Sequence, residues 1–169
     1  MSGKSILILL RHAARDMSDD GLSETGLKQA DTLPGRILKA FSHLGLTSPD
    51  SVSLKIKSSP KARTRATLRT LSKELSISIE VDSRLDERNP GERVDVFEKR
   101  VESFLEEAAL RVPTGETWVA CSHLDWLEHA SLVIPSDEND FERSEPWPPM
   151  TIRIYIFENG IWQRAKGKI

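Results

Sequence analysis

The run Ser5-Ile-Leu-Ile-Leu-Leu10 decides the predicted fold class, because five large aliphatic residues follow one another without a polar interruption. A strand with one face in water alternates apolar and polar residues, whereas a continuously apolar strand is typical of a central parallel strand covered on both faces. The run ends at Arg11-His12, so a basic pair directly follows the predicted strand. This first element predicts an α/β protein with helices on both sides of a sheet.

The rest of the chain alternates between short strand patterns and longer helical patterns, as expected for a sheet with crossover helices. Further strands are predicted over residues 52–57, 77–81 and 117–122, and a terminal hairpin over residues 151–157 and 161–165. Helices are predicted over residues 24–44, 61–75, 94–108 and 125–132, with Pro34-Gly35 expected to kink or split the first of them. Residues 136–150 hold five acidic residues and Pro146-Trp147-Pro148-Pro149, which predict an irregular surface loop or lid, with Trp147 as a candidate substrate contact. We therefore expect a three-layer α/β/α sandwich with a largely parallel central sheet and a C-terminal hairpin.

Length and composition limit the function classes. The chain has 169 residues, which favours a single domain over residues 1–169. Its 24 basic and 26 acidic residues give a formal charge of −2, so neither nucleic acid nor an anionic membrane surface is an expected partner. The longest aliphatic run is far shorter than the roughly 20 residues that cross a bilayer, and we expect a cytoplasmic protein. Cys121 is the only cysteine, which excludes an internal disulfide and a cysteine-based zinc cluster. The oligomeric state is left open.

Cationic and titratable residues follow three of the predicted strands. Arg11-His12 follows the first strand, Ser58-Ser59-Pro60 with Arg63 follows the second, and Ser122-His123 follows the buried strand over residues 117–122. The carboxyl ends of parallel strands meet at one edge of a sheet, so these groups are expected to converge there. Guanidinium groups match phosphate oxygens, and imidazole can act as a nucleophile near neutral pH. The sequence therefore predicts an anion site at this edge.

Five segments extend this pattern, and they occur in the order Leu9-Leu10-Arg11-His12-Ala13, Leu22-Ser-Glu-Thr-Gly-Leu-Lys-Gln-Ala30, Ser58-Ser-Pro-Lys-Ala-Arg-Thr-Arg-Ala-Thr67, Leu85-Asp-Glu-Arg-Asn-Pro-Gly91 and Ser122-His123-Leu124. In these segments the chain resembles the histidine phosphatase superfamily, which has the phosphoglycerate-mutase-like fold. The family is recognised by Arg-His-Gly, Leu-(Ser/Thr)-x-x-Gly-x-x-Gln-Ala, Ser-Ser-Pro-x-x-Arg-x-x-x-Thr, Leu-x-Glu-x-x-x-Gly and Ser-His-Gly. The short chain is similar to the family's small phosphatase members.

The resemblance implies roles for the residues at the predicted edge. His12 would attack phosphorus and become phosphohistidine, while Arg11, Arg63 and His123 would hold the phosphoryl oxygens. Phosphoryl transfer depends mainly on positioning and on preorganised positive charge, which supports these roles. No metal and no cofactor is expected, because the arginines supply the charge that magnesium supplies in other enzymes.

The resemblance also implies a proton donor for the leaving group. Glu87 is the residue at that position, and Asp86 and Asp125 are competing candidates. Arg15 stands where the acid-phosphatase and phytase branch has a further phosphate-binding arginine, so it is either a phosphate ligand or a solvated loop residue.

Two positions depart from the family pattern. Ala13 and Leu124 stand where the family usually has glycine, which permits positive φ and close approach of the backbone to a ligand. Leu124 would either narrow the pocket or point into the core.

These observations predict a metal-independent phosphatase that acts on a phosphorylated small molecule or on a phosphohistidine protein. A phosphate-binding module with little turnover is the alternative, and a phosphomutase is a third interpretation that nothing in the sequence favours.

Overall fold

Strand β1 (Ser5–Arg11) lies inside a six-stranded sheet in a computed structural model that describes residues 5–45 and 53–166. The other strands are β2 (Ser53–Ser58), β3 (Ile79–Val81), β4 (Glu116–Ser122), β5 (Ile152–Glu158) and β6 (Ile161–Arg164). The strand order is β3-β2-β4-β1-β5-β6. Strands β3, β2, β4 and β1 pair in parallel, whereas β5 pairs antiparallel with β1 and with β6. The predicted largely parallel sheet with a C-terminal hairpin is confirmed.

Helices cover both faces of the sheet. On one face Ile6, Ile8 and Leu10 pack with α1 (Glu24–Asp31), α2 (Leu33–His43) and α3 (Ala62–Leu75). On the other face Leu7 and Leu9 pack with α4 (Val94–Arg111) and α5 (Leu124–Val133). All five aliphatic side chains of the opening run have no exposed surface, and burial of each contributes about 1.5–3 kcal/mol. No helix in the described ranges is both long enough and apolar enough to span a bilayer.

The predicted helix over residues 24–44 is two helices in the structure. The split falls at Thr32, two residues before Pro34, because Pro34 occupies the first turn of α2. A proline is tolerated there, since its missing N–H would have no partner within the helix.

Residues 136–150 are mostly irregular, as predicted, but part of the segment is helical. They contain the short helix α6 (Asp140–Arg143), whose first turn is closed by a capping box between Asn139 and Glu142. Arg143 donates to the carbonyls of Ser131 and Ile134 at the end of α5, so the segment is tied to the fold. Sequence analysis did not predict this helix, because four helical residues are too few to show a hydrophobic period.

The remaining boundaries agree with the predictions to within three residues. Helix α4 continues past the predicted end at residue 108 to Arg111, and β3 begins at Ile79 rather than at residue 77. Residue 52, the predicted start of β2, lies outside the described residues.

Candidate active site

A surface pocket opens at the carboxyl ends of β1, β2 and β4. Its lining residues are Arg11, His12, Arg15, Arg63, Glu87, His123, Leu124, Asp125 and Glu128. The structure thus brings together the side chains predicted as nucleophile, phosphate ligands and proton donor, with Asp125 among the candidates for the last role. Arg11 and His123, which both line the pocket, are 112 residues apart along the chain. Asp86 does not line the pocket and lies behind it against Ser59.

The start of α1 holds the loop that carries His12. Ser23 caps the helix by accepting from the Gly26 amide at 3.0 Å, and its own amide donates to the Ala14 carbonyl at 3.0 Å. Gln29 Oε1 accepts from the Ala14 amide at 2.9 Å. A Cβ on Gly26 would lie 1.9 Å from the Ala14 carbonyl oxygen, so only glycine permits this approach. The Leu22–Ala30 motif therefore fixes the position of the loop that carries His12.

The His12 side chain is buried and its orientation is set by the backbone. Its Nδ1 lies 2.7 Å from the Ala13 carbonyl oxygen. A carbonyl can only accept, so Nδ1 carries the hydrogen and Nε2 keeps a lone pair in the neutral ring. The Ala13 amide in turn donates to Thr67 Oγ1 at 3.0 Å, which ties this loop to α3.

The surroundings of His12 favour its neutral form. Burial, together with the positive charges of Arg63 and Arg11, lowers the pKa of His12 to about 4, although the hydrogen bond to Ala13 opposes the shift. A neutral imidazole is the nucleophilic form, because protonation removes the Nε2 lone pair. The His12 ring is therefore neutral at neutral pH and for some distance below it.

We expect the imidazole of His12 to titrate near pH 4 in the protein without bound anion, rather than near the ordinary histidine value of about 6.5. The pKa is lowered because burial and the adjacent cations both disfavour the charged ring. Histidine ring signals in ¹H–¹⁵N NMR, assigned by loss in His12→Gln, would check this. A midpoint above pH 6, or a hydrogen on Nε2 at neutral pH, would contradict the environment described here.

Arg63 lies at the centre of the cationic side of the pocket, with its side chain only 5% exposed. Its Nη2 contacts Glu87 Oε2 at 2.6 Å and donates to His123 Nδ1 at 3.1 Å, and its Nη1 donates to Asp20. No described residue accepts a hydrogen bond from the buried Nε of Arg63 or of Arg11. No sequence pattern indicates Asp20, because it meets Arg63 only when the chain folds.

His123 is held by a hydrogen-bonded chain behind the pocket. Because its Nδ1 accepts from Arg63, its Nε2 carries the hydrogen and donates to Ser59 Oγ at 2.8 Å. Ser59 Oγ then donates to Asp86 Oδ1 at 3.3 Å. Burial and the charge of Arg63 lower the pKa of His123 far below its usual value, so the ring is neutral without an anion. Ser59 was not predicted as a site residue, but it lies inside the Ser58–Thr67 motif, and this position could have indicated its role.

The three carboxylates proposed as proton donor have different surroundings. Glu87 lines the pocket with its side chain 34% exposed. Asp125 accepts from two backbone amides, those of Trp126 and Arg88, each at 2.8 Å. Asp86 is buried, which raises its pKa, and it accepts from Ser59 and from the Glu87 amide. Glu87 is the one of the three that lines the pocket without accepting from the backbone; its role as donor stays a prediction.

The two positions that depart from glycine fit the backbone. Neither Ala13 nor Leu124 has a positive φ, so neither conformation requires glycine. Leu124 is the first residue of α5, lines the pocket and is 37% exposed, so it narrows the entrance instead of entering the core. Arg15 is exposed at the rim of the same pocket.

The Trp147 side chain does not line the pocket, which favours the surface-loop interpretation of its segment over the lid. Its ring is 1% exposed, its Nε1 donates to Ser131 Oγ at 3.0 Å, and Arg153 lies over the ring at 4.1 Å. Only its backbone reaches the site, because its carbonyl accepts from Nη1 of Arg11. The segment orients Arg11 from the core side.

This arrangement coincides with a family match. The model of the histidine phosphatase superfamily (branch 1) matches residues 7–93, just over half of the chain, and the match includes His12, Arg63 and Glu87. The chain belongs to the histidine phosphatase superfamily. Membership supports phosphatase activity in general. No curated protein matches the chain by sequence.

Several solved structures share the fold over almost the whole chain. The protein of the open reading frame Rv3214 from Mycobacterium tuberculosis is 20% identical, with a TM-score of 0.70 and 95% of each chain covered. A protein from Agrobacterium tumefaciens assigned as the phosphohistidine phosphatase SixA is 19% identical, with a TM-score of 0.65 and 96% of each chain covered. A phosphoserine phosphatase from Entamoeba histolytica is 15% identical, with a TM-score of 0.67 and 95% of each chain covered. At these identities the likeness establishes the fold.

Proposed function

We propose that this chain is a metal-independent phosphatase that transfers a phosphoryl group to Nε2 of His12 and then hydrolyses the phosphohistidine. The hydrogen bond from His12 Nδ1 to the Ala13 carbonyl carries the proposal, because it leaves Nε2 as the neutral nucleophile in the pocket. The same pocket is lined by Arg11 and Arg63, and guanidinium groups stabilise the charge that spreads over phosphoryl oxygens in the transition state.

The reaction divides into two displacements at phosphorus. In the first, the His12 Nε2–P bond forms as the ester P–O bond breaks, and Glu87 gives its proton to the departing oxygen. In the second, water attacks phosphorus, Glu87 takes the proton from that water, and the N–P bond breaks to release phosphate and neutral His12. Arg11 and Arg63 stabilise the charge on the phosphoryl oxygens throughout, and Arg15 adds a further cation at the rim. His123 donates its Nε2 hydrogen to a phosphoryl oxygen when that hydrogen exchanges Ser59 Oγ for the bound anion.

Substrates of two kinds suit this pocket. It opens at the surface of the described residues, so both a small phosphomonoester and a phosphohistidine side chain of a protein can enter. Turnover of the two kinds, compared as kcat/KM, would decide between them.

A rapid-quench experiment tests the proposed function. Incubation with ³²P-labelled substrate should leave label on the protein, and the label should be lost in acid and retained in alkali, as for a nitrogen–phosphorus bond. Turnover of p-nitrophenyl phosphate should continue in the presence of a chelator. Binding of inorganic phosphate without turnover or labelling would instead identify a binding module.

We expect Glu87→Gln to lower kcat for an alkyl phosphate by about 10²-fold, and kcat for p-nitrophenyl phosphate by less than about 3-fold. An alkoxide needs a proton in order to leave, whereas p-nitrophenolate leaves without one. Steady-state kinetics on the two substrates would measure the difference. Equal losses on both, or a selective loss in Asp86→Asn or Asp125→Asn instead, would transfer the donor role to another carboxylate.

A further inference from the structure

The segment of residues 83–92, which carries Glu87, is folded around one guanidinium group from helix α4. That group belongs to Arg100, which sequence analysis did not single out. Its Nη1 donates to the carbonyls of Ser83 at 3.4 Å, Arg84 at 3.1 Å and Asp86 at 2.7 Å, and its Nη2 donates to the carbonyl of Glu87 at 3.2 Å. One side chain therefore holds four backbone carbonyls around the proposed proton donor.

Glu92 completes the arrangement from the far end of the segment. Its two carboxylate oxygens accept from Arg100 Nε at 3.0 Å and Nη2 at 2.8 Å, a bidentate pair. The Asn89 amide also donates to Glu92 Oε2 at 3.0 Å. Both side chains are largely buried, with 15% of Arg100 and 13% of Glu92 exposed. The pair is thus shielded from water and is unlike a surface salt bridge.

Helix α4 is anchored in the core and so fixes the position of the Arg100 side chain. Phe97, Val101 and Phe104 are buried in the core, and Arg100 lies over the Phe97 ring at 5.1 Å. The segment itself has only one short 3-10 turn, from Ser83 to Leu85, and Glu87 lies beyond it. Regular secondary structure therefore does not hold Glu87, whereas the core-anchored helix does so through Arg100.

We infer that Arg100 is a positioning residue, which holds the Glu87 carboxylate at the pocket in the geometry required for proton delivery to the leaving group. The inference rests on the proposed function, because it assigns Arg100 an effect that passes through Glu87. Without Arg100 the carbonyls it binds and the Glu92 carboxylate lose their shared partner. The backbone at Glu87 then keeps only the hydrogen bonds of its own amide to Asp86 and of the Arg88 amide to Asp125, and the contact of its carboxylate with Arg63 is less precisely placed. The nucleophile and the phosphate ligands lie on other segments, and His12 and His123 keep hydrogen bonds that do not involve residues 83–92, to Ala13 and to Arg63 respectively.

A double-mutant cycle between Arg100 and Glu87 tests this assignment. Arg100→Met should lower kcat for an alkyl phosphate by about 10- to 100-fold and kcat for p-nitrophenyl phosphate by less than about 3-fold, the selectivity expected of Glu87→Gln. In the Glu87→Gln background the same change should add less than 2-fold on the alkyl phosphate, since residues that act through one another are not additive. Arg100→Lys keeps the charge but cannot bridge the carbonyls, and should be intermediate.

Lys99→Met is the matched control, because Lys99 is the exposed neighbour on the same helix and loses the same charge. It should leave both substrates unaffected. Vanadate affinity of Arg100→Met should stay within about 3-fold of the wild type, which shows that the pocket is folded. Equal losses on both substrates, weakened vanadate binding, or additivity with Glu87→Gln would overturn the assignment. Absence of His12-dependent turnover in the wild type would instead show that the proposed function itself fails.

Discussion

Replacing His12 by alanine is expected to lower kcat for p-nitrophenyl phosphate by about 10⁴-fold or more, because the variant has no atom that can take the phosphoryl group. The residual anion site does not substitute for the nucleophile, since Arg11 and Arg63 stabilise charge but form no covalent intermediate. The good leaving group of this substrate removes any dependence on the proton donor. The measurement therefore isolates the role of His12.

Two further observations define the outcome for His12. Phosphate or vanadate affinity in His12→Ala should fall by less than about 10-fold, because the guanidinium groups remain, and ³²P labelling should disappear. His43→Ala serves as the control, since His43 is exposed at the end of α2 and does not line the pocket. Turnover above a tenth of the wild-type value, or a labelled His12→Ala protein, would be incompatible with the proposed nucleophile.

The change Gly26→Ala should destabilise the protein by about 3 kcal/mol and disturb the His12 loop. The added Cβ would lie 1.9 Å from the Ala14 carbonyl oxygen and 2.9 Å from its carbon, so backbone must move. Overpacking against backbone costs about 1–3 kcal/mol, and loss of the hydrogen bonds at Ala14 adds to it. Urea unfolding, with an unchanged slope and a lower midpoint, would measure the loss.

Gly35→Ala is the matched control for this change. Gly35 is exposed within α2, has no positive φ, and an added Cβ there would meet no atom within 4 Å. Alanine is the better helix former by about 0.5–1 kcal/mol, so this variant should equal or exceed the wild type in stability. If Gly26→Ala were as stable as Gly35→Ala, the described contact between α1 and the His12 loop would be wrong.

The strand patterns of the sequence were informative because burial on both faces leaves a direct record. The apolar run at residues 6–10 and the run over residues 117–122 are neighbours in the sheet, and both are almost wholly inaccessible to water. In residues 136–150 the sequence missed the burial of Trp147 for the opposite reason. There, acidic side chains and prolines flank Trp147, whose burial depends on Ser131 and Arg153 from elsewhere in the chain.

The residues of the candidate site likewise fall into those that a local sequence pattern indicates and those that only the fold reveals. The strand-end rule and the motifs identified Arg11, His12, Arg63, Glu87 and His123 because each lies next to a recognisable local pattern. Asp20 and Arg100 carry no such pattern, since one lies in a loop and the other on a helix rich in charged residues. Their partners lie up to 43 residues away, so only the folded chain reveals them.

The sequence by itself determined the order of helices and strands, the two-sided burial of the central strands and the set of groups at the strand ends. These properties follow from local periodicity and from the direction of parallel strands. Only the tertiary structure decided the lowered pKa of His12, the carboxylates that contact Arg63, and the guanidinium that holds Glu87. Hydrogen bonds and electrostatic effects depend on distances of a few ångströms between segments remote in the chain, and no local pattern encodes those distances.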